Sequence, residues 1–128
     1  GSRTNHWLRC LLIDREHMCE TQRSDKAATY MRTPGKSCPT EMLEALGRFN
    51  AEGRPIWKPM HLQSMYRNNG FVTRAGNGRA RSNAYIGGTE TPDVSGDIFE
   101  RGLCLPSDIK MTEGQQETVM EVIRRCFR

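Results

Sequence analysis

Long apolar runs are missing from this chain, and so are the spacings that mark metal or redox cysteines. No stretch approaches the roughly 20 consecutive apolar residues that carry a helix across a bilayer. No charged and then apolar leader opens it either. A membrane role is not expected, and the chain is expected to be soluble and cytoplasmic. Its five cysteines, Cys10, Cys19, Cys38, Cys104 and Cys126, are odd in number and irregularly spaced, with no C-x-x-C pair. That pattern supports neither a disulfide framework nor a zinc site. Cys10 and Cys104 fall inside apolar, strand-like runs, where a thiol is expected to act as a small buried hydrophobe. Thiol hydrolase chemistry lacks an orienting third group beside Cys19 with His17, or Cys104 with any histidine. Gly76-Asn77-Gly78 is not followed by a helical pattern, so it is no phosphate loop. Internal repeats are absent.

What is present is one domain's worth of chain, 128 residues with 36% hydrophobic content. That length is enough to bury a core. A mean hydropathy of −0.70 is polar for a free-standing domain, as expected of one with wet loops or one detached from a larger body. The formal charge of +4 favours anionic ligands such as phosphates but falls short of the concentrated basic stripe of a nucleic-acid binder. Gly1-Ser2 reads as an expression scar and no methionine precedes Arg3. The chain is therefore expected to be an excised piece, with residues 3–128 forming a single domain.

Taken in order, Trp7-Leu8-Arg9-Cys10-Leu11-Leu12-Ile13 is short and nearly continuously apolar, which predicts a buried strand ending at Asp14. Residues 15–36 are dominated by charge. Only Ala27-Ala28-Thr29-Tyr30-Met31 suggests a short element there, before the turn signal Thr33-Pro34-Gly35-Lys36. A helix is predicted from Ser37-Cys38-Pro39, with proline in its first turn and Glu41 near the positive end of its dipole. Met42, Leu43, Leu46 and Phe49 would form its apolar face. Gly53 is the expected left-handed stop, and Gly47 is either close-packed against a strand or simply tolerated. Further on, Ala75-Gly76-Asn77-Gly78 separates Phe71-Val72-Thr73-Arg74 from Arg79-Ala80-Arg81-Ser82-Asn83-Ala84-Tyr85-Ile86. An Asn-Gly pair between two candidate strands predicts a protruding hairpin. With Arg67, Arg74, Arg79 and Arg81 this flap is strongly positive, and it is either a solvated basic loop or a contact for phosphate or a partner. Ser95 is expected to cap a short helix, Gly96 to Arg101, stopped by Gly102. Leu103-Cys104-Leu105 predicts a brief buried strand. Thr112-Glu113-Gly114-Gln115 is a capping box, opening a helix with a stripe of Val119, Val122, Ile123, Cys126 and Phe127. The pattern as a whole predicts an α/β (α+β) layer, a small mixed or antiparallel sheet of about three strands with helices packed on it.

The densest chemistry lies in Gly53-Arg54-Pro55-Ile56-Trp57-Lys58-Pro59-Met60-His61-Leu62-Gln63. Its two prolines oppose helix, so the segment is expected to be extended, with Trp57 and His61 on one side and Ile56, Lys58 and Met60 on the other. An indole offers a flat face to a sugar or base, and Arg54, Lys58 and His61 can address phosphate oxygens. A site lip is one reading. Trp57 in the core and His61 bonded to backbone is the other.

This run resembles a motif of the DegT/DnrJ/StrS family of pyridoxal-phosphate-dependent sugar aminotransferases, in which an Arg-Pro-x-Trp-x-Pro-x-His-x-Gln segment lies in the small C-terminal domain. Three further stretches resemble the family in the same order: Asn5-His6-Trp7-Leu8, Phe99-Glu100-Arg101-Gly102-Leu103-Cys104-Leu105-Pro106-Ser107, and Val122-Ile123-Arg124-Arg125-Cys126-Phe127. The resemblance implies the C-terminal small domain of a fold-type I enzyme. It places Arg54, Trp57, Lys58, His61 and Gln63 along the pocket for a nucleotide-linked keto-sugar, with Asn5 and His6 near the domain junction. Arg74, Arg79 and Arg81 are possible anion contacts. Stretches 15–36 and 70–92 are longer than the family pattern.

Transamination needs a Schiff-base lysine, an acid on the pyridine nitrogen and a phosphate cup. Lys26, Lys36 and Lys110 have polar or turn-like neighbours and Lys58 belongs to the substrate-side motif, while the family keeps its Schiff-base lysine in the large N-terminal domain. The expected parent is a homodimer holding pyridoxal phosphate, with this piece binding no cofactor and transferring no amine alone. Its partners would be that large domain and the nucleotide-sugar, with no nucleic acid and no membrane. The alternative is a stand-alone α/β module that binds an anionic ligand or a protein.

Overall fold

The computed structural model describes residues 3, 7–23, 28–66, 69–72, 79–81 and 93–128. Its elements in chain order are β1 (Arg9–Leu12), a 3-10 turn (Arg15–His17), β2 (Thr21–Arg23), β3 (Ala28–Tyr30), α1 (Pro39–Arg48), β4 (Arg54–Pro55), two 3-10 turns (Met60–Leu62 and Ser64–Tyr66), β5 (Gly70–Val72), β6 (Arg79–Arg81), α2 (Val94–Arg101), β7 (Gly102–Leu105) and α3 (Glu113–Arg125). The fold is mixed α/β. Among the described residues, β1, β7 and β4 form a three-stranded sheet in that order, while β2 with β3 and β5 with β6 form two-stranded ones. Every pairing between these strands is antiparallel. Contacts gather into two units, Gly1–Ile56 with Arg101–Arg128 and, separately, Trp57–Glu100.

In the first unit β7 is the middle strand, and its Leu103 is fully buried with Ile13, Met42, Leu46, Val119 and Val122 around it. Burying one such side chain contributes about 1.5–3 kcal/mol. Helix α1 starts where proline at its first position removes an orphan donor. Ahead of it the buried Cys38 Sγ accepts from Glu41 N at 3.5 Å, a thiol in the place usually held by Ser or Asp. Helix α3 opens on the capping box: Gln115 N donates to Thr112 Oγ1 at 3.3 Å, and Thr112 N to Gln115 Oε1 at 2.9 Å. Val119 and Val122 face the core from it, with Ile123, Cys126 and Phe127 partly buried beside them.

Residues 15–23 and 28–36 hold more regular structure than their charge suggests. The β2–β3 hairpin was not legible as a pair, since only the second strand carries an apolar hint. Tyr30 Oη from that strand donates to Glu44 Oε2 of α1 at 2.8 Å, and this bond chiefly holds the phenol up at about 12. The turn after it is of type II. Lys36 N donates to Thr33 O at 3.0 Å, with Pro34 then Gly35 between them and Gly35 at φ 78°. Buried Glu41 accepts from Arg32 Nε at 2.7 Å and from Ser37 Oγ at 3.0 Å, so its carboxylate is satisfied on both oxygens.

Several local expectations are corrected. Cys10 is exposed on β1, an edge strand of the described sheet; the buried residue is Ile13, just beyond it. Ile13 N donates to Arg101 O at 3.1 Å, and the Arg101 guanidinium donates to Ile13 O. Phe49 is 52% exposed, since α1 ends at Arg48 and the chain turns away at Asn50, which takes the left-handed conformation at φ 55° that Gly53 was expected to adopt. Asparagine tolerates that region better than most residues. Gly53 is required for another reason: a Cβ there would lie 2.8 Å from Leu43 Cδ2, 3.1 Å from Leu46 Cδ1 and 3.3 Å from Cys104 O. At Gly47 a Cβ would meet nothing within 4 Å, so that glycine is merely tolerated.

The two glycines therefore predict opposite outcomes. Gly53→Ala should lower stability by about 1–3 kcal/mol through overpacking. Gly47→Ala should raise it by about 1 kcal/mol through helix propensity. Urea unfolding midpoints followed by circular dichroism check both signs.

Candidate functional site

The proline-rich segment starts as strand, in β4, and then changes character. Pro59, at φ −55° and ψ 147°, ends the extended run and leads into the Met60–Leu62 turn. Leu62 N donates to Pro59 O at 3.0 Å and Gln63 N to Met60 O at 3.1 Å. A three-residue period thus replaces the two-residue alternation expected of an extended chain. Trp57 and His61, expected to share a side, part company: Trp57 is 65% exposed, whereas His61 is 8% exposed.

A carboxylate holds His61. Asp93 Oδ2 accepts from His61 Nε2 at 2.7 Å. Asp93 Oδ1 accepts from Gly96 N at 2.9 Å and from Ser95 Oγ at 3.0 Å, so Asp93, not Ser95, caps α2. Partial burial pushes the Asp93 carboxyl upward, but the bonds from Gly96, His61 and Ser95 together outweigh it and hold the group below its ordinary value. Asp93 was missed in the sequence because Ser95 stands two residues closer to the apolar run. The spacing that could have found it is Asp-x-x-Gly ahead of a helix.

Gln63 bonds locally as well, its Nε2 donating to Lys58 O at 3.2 Å and lying 3.4 Å from Met60 Sδ. It pins the backbone between the two prolines and the turn. Trp57 and Lys58 are left exposed on this braced segment, with Met60 and Met65 exposed nearby in the sequence. An indole and an ammonium group, exposed at adjacent positions, are the side-chain types that suit a flat, anionic ligand.

Arg54 belongs to the first unit and the other four motif residues to the second. Its guanidinium pairs with Glu52 at 2.6 Å, both side chains being about three-quarters exposed. An ion pair so wetted is worth about 0–1 kcal/mol. Arg79 and Arg81 lie in β6, opposite Val72 and Gly70. Asn5, His6, Arg67 and Arg74 lie outside the described residues, as does the Asn77-Gly78 turn.

The shared carboxylate makes the Asp93 joint sensitive to acid. Its pKa is lowered on folding, so its contribution is fully present above the unfolded value near 3.8 and is lost as pH falls through the folded value. At neutral pH Asp93→Ala should cost about 1–2 kcal/mol from the lost cap alone. The difference between wild type and this variant should shrink only below about pH 4. Urea midpoints across the pH range measure it, and the His61 imidazole NMR signals should shift in the variant.

No protein-family model matches the chain. Over 104 residues it is 34% identical to a Bacillus subtilis (strain 168) protein named "Putative pyridoxal phosphate-dependent aminotransferase EpsN". The match takes in 81% of this chain and 23% of that protein, so the chain spans about a quarter of its relative's length. That likeness supports a relationship between this chain and the aminotransferases.

Proposed function

We propose that this chain is the substrate-contacting, C-terminal part of a pyridoxal-phosphate-dependent aminotransferase that moves an amino group onto a nucleotide-linked keto-sugar. In the intact homodimeric parent, a large N-terminal domain would carry the cofactor and the reacting lysine. The observation that carries this proposal is the exposure of Trp57 and Lys58 on a segment braced by Pro55, Pro59 and Gln63. Such a surface is ordered before a ligand arrives, which cuts the entropic cost of binding. The likeness to a protein of aminotransferase name supplies the reaction class.

The described residues do not fit pyridoxal phosphate by themselves. A Schiff-base lysine works when burial or a neighbouring cation frees its amine, yet Lys36, Lys58 and Lys110 are all exposed. An acid for the pyridine nitrogen must have an open oxygen. The buried Glu41 spends both oxygens on Arg32 and Ser37, and Asp93 spends both on His61, Gly96 and Ser95. No step of amine transfer is therefore assigned to this chain. Its part is to bind and orient: the indole against a sugar or base face, the ammonium of Lys58 on a phosphate oxygen.

Titration of the chain with a UDP-linked hexose, followed by tryptophan fluorescence, tests this role. A saturable change should appear, vanish in Trp57→Phe while Trp7 still emits, and weaken about tenfold in Lys58→Ala, as expected for one charge-assisted hydrogen bond. Supplied with pyridoxal phosphate and glutamate, the chain alone should transfer no amine to a keto-sugar nucleotide. A silent titration with several nucleotide-sugars would overturn the contact role, and an equal response to inorganic phosphate would favour the anion-binding module.

A further inference from the structure

We propose that Cys10 and Cys104 form an oxidisable pair, a modification site at which a hydroperoxide converts two thiols into a cross-strand disulfide. They are register partners in the antiparallel β1–β7 ladder, and their sulfurs lie 3.7 Å apart. Directly opposite residues in such a ladder have Cα atoms about 4.5–5.5 Å apart and side chains on the same face. That spacing falls inside the range of about 4.4–6.8 Å that a disulfide tolerates. Closing the remaining gap to a bond of about 2.04 Å takes side-chain rotation and no change of register.

The two members differ in a useful way. Cys10 is the exposed thiol of the five; Cys104, Cys19 and Cys38 are buried and Cys126 is half-buried. Cys10 therefore meets the oxidant and Cys104 is shielded from it. The other thiols compete poorly. Burial first, then the bond to Cys38, pushes Cys19 up to about 12, and burial also pushes Cys126 up.

The steps balance. The Cys10 thiolate attacks one peroxide oxygen, the O–O bond breaks, and hydroxide leaves to take up the proton that Cys10 released. Cys10 is then a sulfenic acid. The Cys104 sulfur attacks the Cys10 sulfur, the S–S bond forms as the S–O bond breaks, and the departing hydroxide leaves as water with the Cys104 proton. One hydrogen peroxide is reduced to two waters while two thiols are oxidised. An added dithiol reverses the change.

The test treats the whole chain with an equivalent of hydrogen peroxide, counts free thiols and maps peptides by mass spectrometry. Two of the five thiols should disappear together, with a peptide joining Cys10 to Cys104, and dithiothreitol should restore both. Cys10→Ser, a change at an exposed edge position that leaves the fold intact, should slow thiol loss about tenfold or more. Cys104→Ser should leave a Cys10 sulfenic acid that dimedone captures. Oxidation at Cys19, Cys38 or Cys126 first, a disulfide between two chains through Cys10, or an unjoined Cys10 sulfenic acid in the wild type would each overturn the proposal.

Discussion

Leu103 has no exposed surface, and the strand that carries it has no free edge. β7 must satisfy backbone partners on both sides at once, with β1 opposite Gly102 to Leu105 and β4 opposite Leu103 and Cys104. The strands it joins come from the start and the middle of the sequence, and both helices of the first unit bury side chains around it. Because a buried N–H or C=O without a partner is costly, the placement of this one strand fixes the register of the other two. Gly53 is part of the same constraint: a Cβ there would press on Leu43 and Leu46 of α1 and lie close to the Cys104 carbonyl.

Two carboxylates solve a related problem at the helix starts. Glu41 stands in the first turn of α1 and reaches out to Arg32 and Ser37. Asp93 stands just ahead of α2 and reaches out to His61. Each combines a charge favourable at a helix N-terminus with a tie to a residue outside its own helix. Each thereby has both oxygens engaged, whereas Trp57 and Lys58 stay exposed.

Patterns with a single physical cause were readable before the structure. The capping box at Thr112, the proline of α1, the type II turn at Pro34-Gly35 and the three sheet strands all stand where residue chemistry predicts. So does the pairing of Gly70–Val72 with Arg79–Arg81. What could not be read depended on partners far along the chain. The exposure of Cys10 follows from β1 lying at a sheet edge, and the need for glycine at Gly53 follows from two leucines and a distant carbonyl. Asn50 took the left-handed position because α1 stopped one residue before Phe49. In the candidate site, Trp57 and Lys58 are exposed, whereas His61 is buried in a 3-10 turn that proline content alone does not reveal. Its aspartate partner lies 32 residues away, beyond any local spacing rule.

Pro55 in β4 stands opposite Leu103 in β7, so these two strands are topologically the arms of a hairpin. Everything from Trp57 to Glu100 is the excursion between them. The entropic cost of closing such an excursion rises only logarithmically, about 0.6 kcal/mol for each doubling of its length. Lengthening or rewriting that excursion leaves the strand pairing intact. Trp57 and Lys58 sit on that excursion, so side chains there can change without touching the β4–β7 register.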